Sequence, residues 1–383
     1  MTVSHKKFRI LYLVTEDWYF VSHRLGLARA ARDAGGEVIV VTRAKDYKDL
    51  IAKEGFKHIS FLLPRSRLSI VSEIKSIINL VKIYRTEKPD LVHHVALKPS
   101  LYGSVAATFA NVPLVVNAMT GLGFAFTKGH WKQFFLEPVV KFIGRMFLNR
   151  KRGRIIVQNP DDAETLQNAG FGRPENMVMI RGSGVSLSQF HPLPEPDGFP
   201  TVAMVSRMLW NKGVGELVEA TRLLKKRGVK VRVLLIGMPD PDNPSSISAQ
   251  QLCRWHDEGL TQWRGFHGNV NDIWRQAHIA ALPSYREGLP KSLLEAAACA
   301  RPIVATDVPG CREIVHDGVN GFLIPPHNAE ALAEAMEKLL NNFELRKKMG
   351  AASRALVEEH FHEDIVIRKT LKIYEELLGI TFS

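Results

Sequence analysis

The sequence predicts an α/β protein built from two successive Rossmann-like halves, each a parallel sheet covered by helices. Three observations predict it. Short apolar runs alternate with segments of helical period along nearly the whole chain. The runs are apolar throughout, as strands buried on both faces are. And the alternation stops once, at a proline cluster near the middle, then restarts.

In order, the first half begins with an apolar run over 8–14, read as a buried first strand. The basic start before it superficially resembles a signal peptide, but Glu16 and Asp17 end the apolar run with no small-residue cleavage site. A helix over 23–34 stops at Gly35 and Gly36, with Ser22 as its N-cap. A strand over 37–42, a long amphipathic helix over 69–85, a strand over 91–94, a helix over 102–109 and a strand over 114–118 follow. Residues 154–170 read as a strand and an Asp-capped helix. Residues 189–200 carry four prolines in twelve positions, a linker or domain boundary. The second half predicts strands at 201–206, 231–236, 265–267, 279–282 and 302–306, with helices at 215–226, 270–277, 292–299 and 329–341. Domain limits are set at 1–190 and 196–363. A last helix over about 364–383 would cross back to the first domain. Ligands are expected in the cleft between the halves, at the carboxyl ends of the strands.

The net charge of +12 is unevenly placed. Residues 1–195 hold 28 Lys and Arg against 16 Asp and Glu, while the rest balances at 23 each. One half therefore meets something anionic: a nucleic acid, a phosphorylated substrate or a membrane surface. No apolar run reaches the roughly 20 residues that span a bilayer. Cys253, Cys299 and Cys311 show no metal-ligand spacing, which fits a reducing cytosol.

The chemistry is concentrated between Pro283 and Val315. Glu287 lies in a Gly-Pro loop after a strand, and Glu295 lies eight positions on, inside the next helix. Ionised carboxylates are strong acceptors for sugar hydroxyls, and the helix start offers amides to an anion. For either Glu alone, a surface carboxylate is the plainer reading. The whole string, with ARPIVATDVPG and DGVNGFLIPP after it and SRMLWNKG before it, resembles the family 4 glycosyltransferases. These are retaining enzymes of the GT-B fold, two Rossmann-like domains facing across a cleft.

The resemblance implies a role for each matched residue. Arg207 and Lys212 would neutralise the leaving diphosphate. Glu287 would hold the donor sugar, with backbone groups of Gly288, Leu289 and Lys291 beside it, and Glu295 the ribose. Gly237 matches the family's glycine turn, and His267 its strand beside the base. In the first half, the SHR tripeptide, HHVALKPSLYG and NAMTGLG resemble bacterial enzymes that extend sugars on polyprenyl-diphosphate carriers. His23, Arg24, His94, Lys98, Thr120, Gly121 and Gly123 are then candidates for the acceptor side. Thr120 stands where many relatives carry a histidine, and His93 or His94 could replace it. For His23 and Arg24, ligand contact and simple packing fit equally.

Residues 128–154 mix aromatic and basic side chains, including Trp131, Phe134, Lys141, Arg145, Arg150, Lys151 and Arg152. This fits a helix at an anionic membrane interface, or a core helix with a solvated basic edge. Lys6, Lys7, Arg65 and Arg67 would extend the patch.

The expectation is thus a glycosyltransferase moving a sugar from a nucleotide-sugar, a UDP-sugar by preference, to a lipid-linked or other glycan. It would work without a metal or other cofactor, at the inner face of the plasma membrane. Asp240 and Asp242 have the spacing of a metal signature but sit in a proline-rich loop. A nucleotide-sugar epimerase or hydrolase of the same fold is the alternative. A nucleic-acid binder is suggested by the basic pI alone, and no nucleic-acid partner is expected.

Overall fold

The computed structural model describes residues 7–63, 70–121 and 131–382, except for the side chains of 70, 131–137 and 139. Gly123, Lys6, Arg65 and Arg67, and the side chains of Trp131 and Phe134, lie outside the described residues.

The chain divides at Ser183/Gly184 and again at Glu363/Asp364. In the first unit, strands β1 (Phe8–Glu16), β2 (Gly36–Arg43), β3 (Lys57–Ser60), β4 (Leu91–Val95), β5 (Leu114–Ala118), β6 (Gly153–Val157) and β7 (Met177–Met179) form one parallel sheet. Its order is β3-β2-β1-β4-β5-β6-β7. Helices α1 (Asp17–His23), α2 (Leu25–Asp33), α3 (Lys48–Lys53), α4 (Ile70–Glu87), α5 (Leu97–Phe109), α6 (Trp131–Phe147) and α7 (Pro160–Asn168) connect the strands. The continuous apolar runs are explained by two-sided burial. In β1, Ile10, Tyr12 and Val14 enter one core with Phe20, Leu27 and Ala31, while Leu11 and Leu13 enter another with Leu80 and Tyr84.

The second unit holds α8 (Val214–Lys226), α9 (Ala249–Asp257), α10 (Val270–Gln276), α11 (Lys291–Ala298), α12 (Pro309–Arg312), α13 (Ala329–Leu340) and α14 (Phe343–His360). Its strands are β8 (Thr201–Val205), β9 (Arg232–Ile236), β10 (Gln262–Trp263), β11 (Ile279–Leu282), β12 (Ile303–Thr306) and β13 (Gly321–Ile324). They form a second parallel sheet, ordered β10-β9-β8-β11-β12-β13, around one core. The last helix, α15 (Glu363–Leu378), packs Val366, Ile373, Tyr374 and Leu377 into the first unit's core.

Four local expectations need correction. The helix expected over 23–34 is two helices broken at Arg24, whose φ is −130°. Ser22 is therefore inside α1, not an N-cap. The strand expected at 265–267 falls at Gln262–Trp263, because Gly265 turns the chain with φ +65°. Helix α7 is capped by the Asn159 side chain, which accepts from the Asp162 amide, with Pro160 in its first turn. Finally, the proline-rich stretch is no free linker. Phe190 is buried in the second core, and the Leu193 amide donates to the Cys299 carbonyl. Glu195 pairs with Arg346. The chain passes between units earlier, at Gly184, where a Cβ would lie 2.5 Å from the Glu363 Cα. Val185 and His362 bridge there, so both crossings are fastened side by side.

Candidate active site

Three loops at the carboxyl ends of β8, β9 and β11 build the candidate site in the second unit. After β8 the chain passes Arg207 and enters a single 3-10 turn, Trp210–Lys212. Gly213 then starts α8 in the left-handed region, with φ +77°. A Cβ there would fall 2.0 Å from the Pro283 carbonyl oxygen, so the turn lies directly on the loop after β11. Two hydrogen bonds hold this contact: the Tyr285 amide and the Ser284 hydroxyl both donate to the Asn211 carbonyl, at 3.0 and 3.2 Å.

This seam brings Lys212 to Glu287. Nζ lies 2.5 Å from Oε1, and both side chains are mostly buried. Two of the three predicted catalytic residues are thus in contact across 75 positions of sequence. The third, Arg207, is ion-paired with Asp240 at 2.6 Å. That contact gives the Asp240 and Asp242 spacing a non-metal use for its first member. Gly237 closes β9 with φ +136°, and a Cβ there would meet the Ser206 carbonyl at 1.8 Å. The glycine match is therefore a steric requirement that brings the Asp240 loop beside Arg207.

Gly288 and Leu289 lead into α11, Leu289 packing its side chain on the core. A Cβ on Gly310, at the start of α12, would lie 2.5 Å from the Gly288 carbonyl, which fixes that loop from behind. Lys291 opens α11 and Glu295 follows one turn later. Burial pushes the Glu295 carboxyl up to about 7, against a smaller opposing pull from the Lys291 ammonium. His267 lies half-buried in the loop after β10, beyond the strand that was expected to carry it.

A feature outside the sequence reading adjoins this loop. The Tyr285 hydroxyl donates to Glu216 Oε1 on α8 at 2.6 Å, and the His327 ring lies 3.7 Å from the Tyr285 ring. Three separate segments made this group illegible in sequence.

The acceptor-side candidates in the first unit fare differently. His94 is a correction. It is fully buried under α5, its Nδ1 donating to Asn117 Oδ1 at 2.8 Å and its Nε2 accepting from Tyr84 at 3.0 Å. Burial lowers it to about 4. With both nitrogens used, it supports the sheet and has no ring nitrogen left for a ligand. Its neighbour His93, on the other face, is the residue left with an open nitrogen. His23 stacks on Tyr19 at 4.0 Å. Arg24 is buried between α1 and α2. Lys98 donates to Glu73 at 3.0 Å and lies over the Tyr102 ring. Thr120 and Gly121 follow β5 half-buried, with Gly121 at φ +92°.

The basic stretch is also partly redirected. Arg145 Nε donates to the Ala169 carbonyl, and half-buried Arg150 donates to the Val112 carbonyl at 2.8 Å. Arg150 is thus a correction: it satisfies a loop end, and burial lowers its pKa. Lys141 is half-buried, whereas Lys151, Arg152, Phe142 and Met146 are exposed.

Comparison with known proteins completes the picture. A family model described as glycosyl transferase 4-like matches residues 9–159, and one described as glycosyl transferases group 1 matches 187–356. The chain is 28% identical to N,N'-diacetylbacillosaminyl-diphospho-undecaprenol alpha-1,3-N-acetylgalactosaminyltransferase of Campylobacter jejuni, over 93% of this chain and 95% of that one. It is 25% identical to the capsular polysaccharide biosynthesis glycosyltransferase CapM of Staphylococcus aureus, over 97% and 98%. Among solved structures, Anabaena HepE in complex with UDP and glucose superposes with a TM-score of 0.77 at 18% identity, over 96% of this chain and 99% of that one. Sucrose-phosphate synthase of Thermosynechococcus elongatus reaches 0.79 at 19% identity, over 97% and 99%. The two family models together span most of the chain, and the solved structures share its fold: the chain belongs to the group 1 and 4-like glycosyltransferases and is an enzyme of the GT-B fold.

Proposed function

We propose that this glycosyltransferase takes a sugar from a UDP-sugar and adds it, with retained anomeric configuration, to a hydroxyl of a polyprenyl-diphosphate-linked glycan at the inner membrane face. The single observation that carries the donor half is the Lys212–Glu287 contact beside Arg207. It puts two cations and a sugar-binding carboxylate on adjoining loops. Bond breaking at the anomeric carbon places negative charge on the departing diphosphate. The diphosphate of the bound donor is already anionic, and Arg207 and Lys212 stabilise the further charge that develops on it more than they stabilise the ground state, which is the condition for catalysis. Glu287 accepts from donor-sugar hydroxyls, and Glu295 from the two ribose hydroxyls. In a same-face reaction, a leaving phosphate oxygen takes the acceptor hydroxyl's proton as the new glycosidic bond forms. The two cations fill the role a metal ion would otherwise have, and the reaction is metal-independent.

The acceptor class is supported by the Campylobacter relative, whose name specifies an undecaprenol-diphosphate-linked substrate. Attachment to the membrane surface is supported by the outer face of α4. Val71, Ile74 and Ile78 are exposed there, with Lys75, Lys82 and Arg85. The helix's carboxylates are turned inward, Glu73 to Lys98 and Glu87 to Lys57. On α6, Phe142 and Met146 are exposed apolar side chains as well. No helix among the described residues is long and apolar enough to cross a membrane.

Transfer from UDP-sugars to a lipid-linked acceptor, measured with EDTA present, tests the proposal. Lys212→Ala and Glu287→Ala should each lower kcat/KM by about 10²–10³ with the fold unchanged. Full turnover in either variant would remove the site assignment.

A further inference from the structure

Arg24 is a buried cation without a counter-charge among the described residues. It is 5% exposed, at the junction of α1 and α2. Its Nη1 donates to the adjacent His23 carbonyl at 3.0 Å. Its Nε is buried with no partner, and no carboxylate among the described residues pairs with it. A guanidinium cannot shed its proton, so burial leaves it dependent on an anion. The nearby carboxylates are committed elsewhere: Asp17 accepts from the Lys45 and Tyr47 amides, and Glu16 faces Arg43 and Lys45.

A second unsatisfied group stands on the same side of the sheet. His93, on β4, is 1% exposed. Its Nδ1 shares a 2.5 Å hydrogen bond with the Tyr374 hydroxyl of α15, and its Nε2 is buried without a partner. The single Tyr374 hydroxyl proton has two acceptors in reach, the Tyr12 hydroxyl at 3.3 Å and His93 Nδ1 at 2.5 Å; given to the shorter contact, it leaves the ring proton on Nε2, which becomes a donor. Arg24 is close enough for its charge to act on His93, Tyr12 and Tyr374 alike. Helix α2, nine residues long, begins immediately after Arg24, so its positive end lies at that residue's backbone.

From these groups we infer that Arg24, His93 Nε2 and the start of α2 form a phosphate-binding subsite in the first unit, taking one phosphate of a diphosphate substrate. This rests on the proposed transferase reading, in which donor and acceptor each carry a diphosphate. The phosphate oxygens accept from the guanidinium fork and from the imidazole. Tyr374 is then a positioning residue: it fixes the His93 tautomer from the far end of the chain.

The test is calorimetric binding and thermal protection with three probes: inorganic diphosphate, UDP and a short-chain prenyl diphosphate. They are measured on the wild type, Arg24→Met and His93→Gln. Arg24→Met should be at least as heat-stable as the wild type in anion-free buffer, because it removes a buried unpaired charge. It should bind one of the two organic diphosphates at least about tenfold more weakly, and His93→Gln should weaken the same one. A loss confined to the prenyl diphosphate assigns the subsite to the acceptor; a loss confined to UDP assigns it to the donor. Wild-type affinity for all three probes in both variants overturns the inference. If Arg24→Met does not fold, His93→Gln decides alone. A wild type that fails to bind UDP strikes the donor reading instead, and the prenyl diphosphate arm still decides the subsite.

Discussion

His93 and His94 show what a residue's neighbours add to its type. The sequence places both at a strand end and leaves open which one meets a ligand. Alternation along β4 sends them to opposite faces. His94 meets Tyr84 and Asn117 and is saturated, while His93 keeps one nitrogen open. Sequence had no access to Tyr84 and Asn117 as partners, so the choice was not legible there. His94 is lowered to about 4 by burial, from an ordinary 6.5. The unfolded chain therefore binds a proton between pH 6.5 and 4 that the native chain does not, and native stability falls as pH falls through that window. His94→Asn should flatten this acid loss by about 2–3 kcal/mol between pH 7 and 4, measured by urea unfolding. An unchanged pH profile would contradict the burial argument. Glu295 behaves in the opposite sense. With its carboxyl raised to about 7, native stability falls as pH rises from 4.5 to 7. Glu295→Gln should be relatively stabilised above pH 7 by about 1–3 kcal/mol, while losing UDP affinity. If Glu295 holds the ribose as proposed, UDP affinity in the wild type should weaken below pH 7, because protonation removes the ionised acceptor.

At the scale of elements, the period of the pattern located most of the scaffold. Helices α8, α10, α11 and α13 and strands β8, β9, β11 and β12 begin and end within about a residue of expectation. The failures are at short or kinked pieces. A two-residue strand such as β10 carries too little pattern to fix its register, and the α1–α2 break falls at Arg24 itself, where the one nearby glycine, Gly26, lies inside α2 and not at the break. The candidate site was legible where its residues are strung along one stretch, Glu287 to Glu295, with Arg207 and Lys212 also matched. Its pairing was not, because Lys212–Glu287 and Arg207–Asp240 depend on how three loops meet. That meeting hangs on Gly213. Gly213→Ala should cost at least about 2 kcal/mol, through its positive φ and the clash with the Pro283 carbonyl. It should weaken UDP binding by pushing Lys212 away from Glu287. Normal stability and affinity in this variant would mean the seam is more plastic than its contacts indicate. On α4, Val71→Ser, Ile74→Ser and Ile78→Ser together should release the protein from anionic vesicles without loss of stability, since these side chains are exposed. Vesicle binding equal to the wild type would exclude that face.

For the whole molecule, two α/β units and a returning helix were readable from the alternation and its single interruption. The place of the boundary was not, since prolines mark a segment that can be packed as well as free. Phe190, Leu193 and Glu195 are packed. The returning helix closes the first unit's core, burying Tyr374 against Tyr12 and His93. Removing residues 364–383 should therefore leave the first unit unable to fold, which hydrogen exchange would report as lost protection in β1 and β4. The proposed function rests, at this scale, on the second unit's loops recognising a nucleotide-sugar. The most direct measurement is thermal protection by UDP, with and without EDTA, in the wild type and in Lys212→Ala. The structure leads us to expect a rise in Tm with UDP that EDTA does not alter and that Lys212→Ala abolishes. No rise with UDP, or the same rise in both proteins, would contradict the donor site.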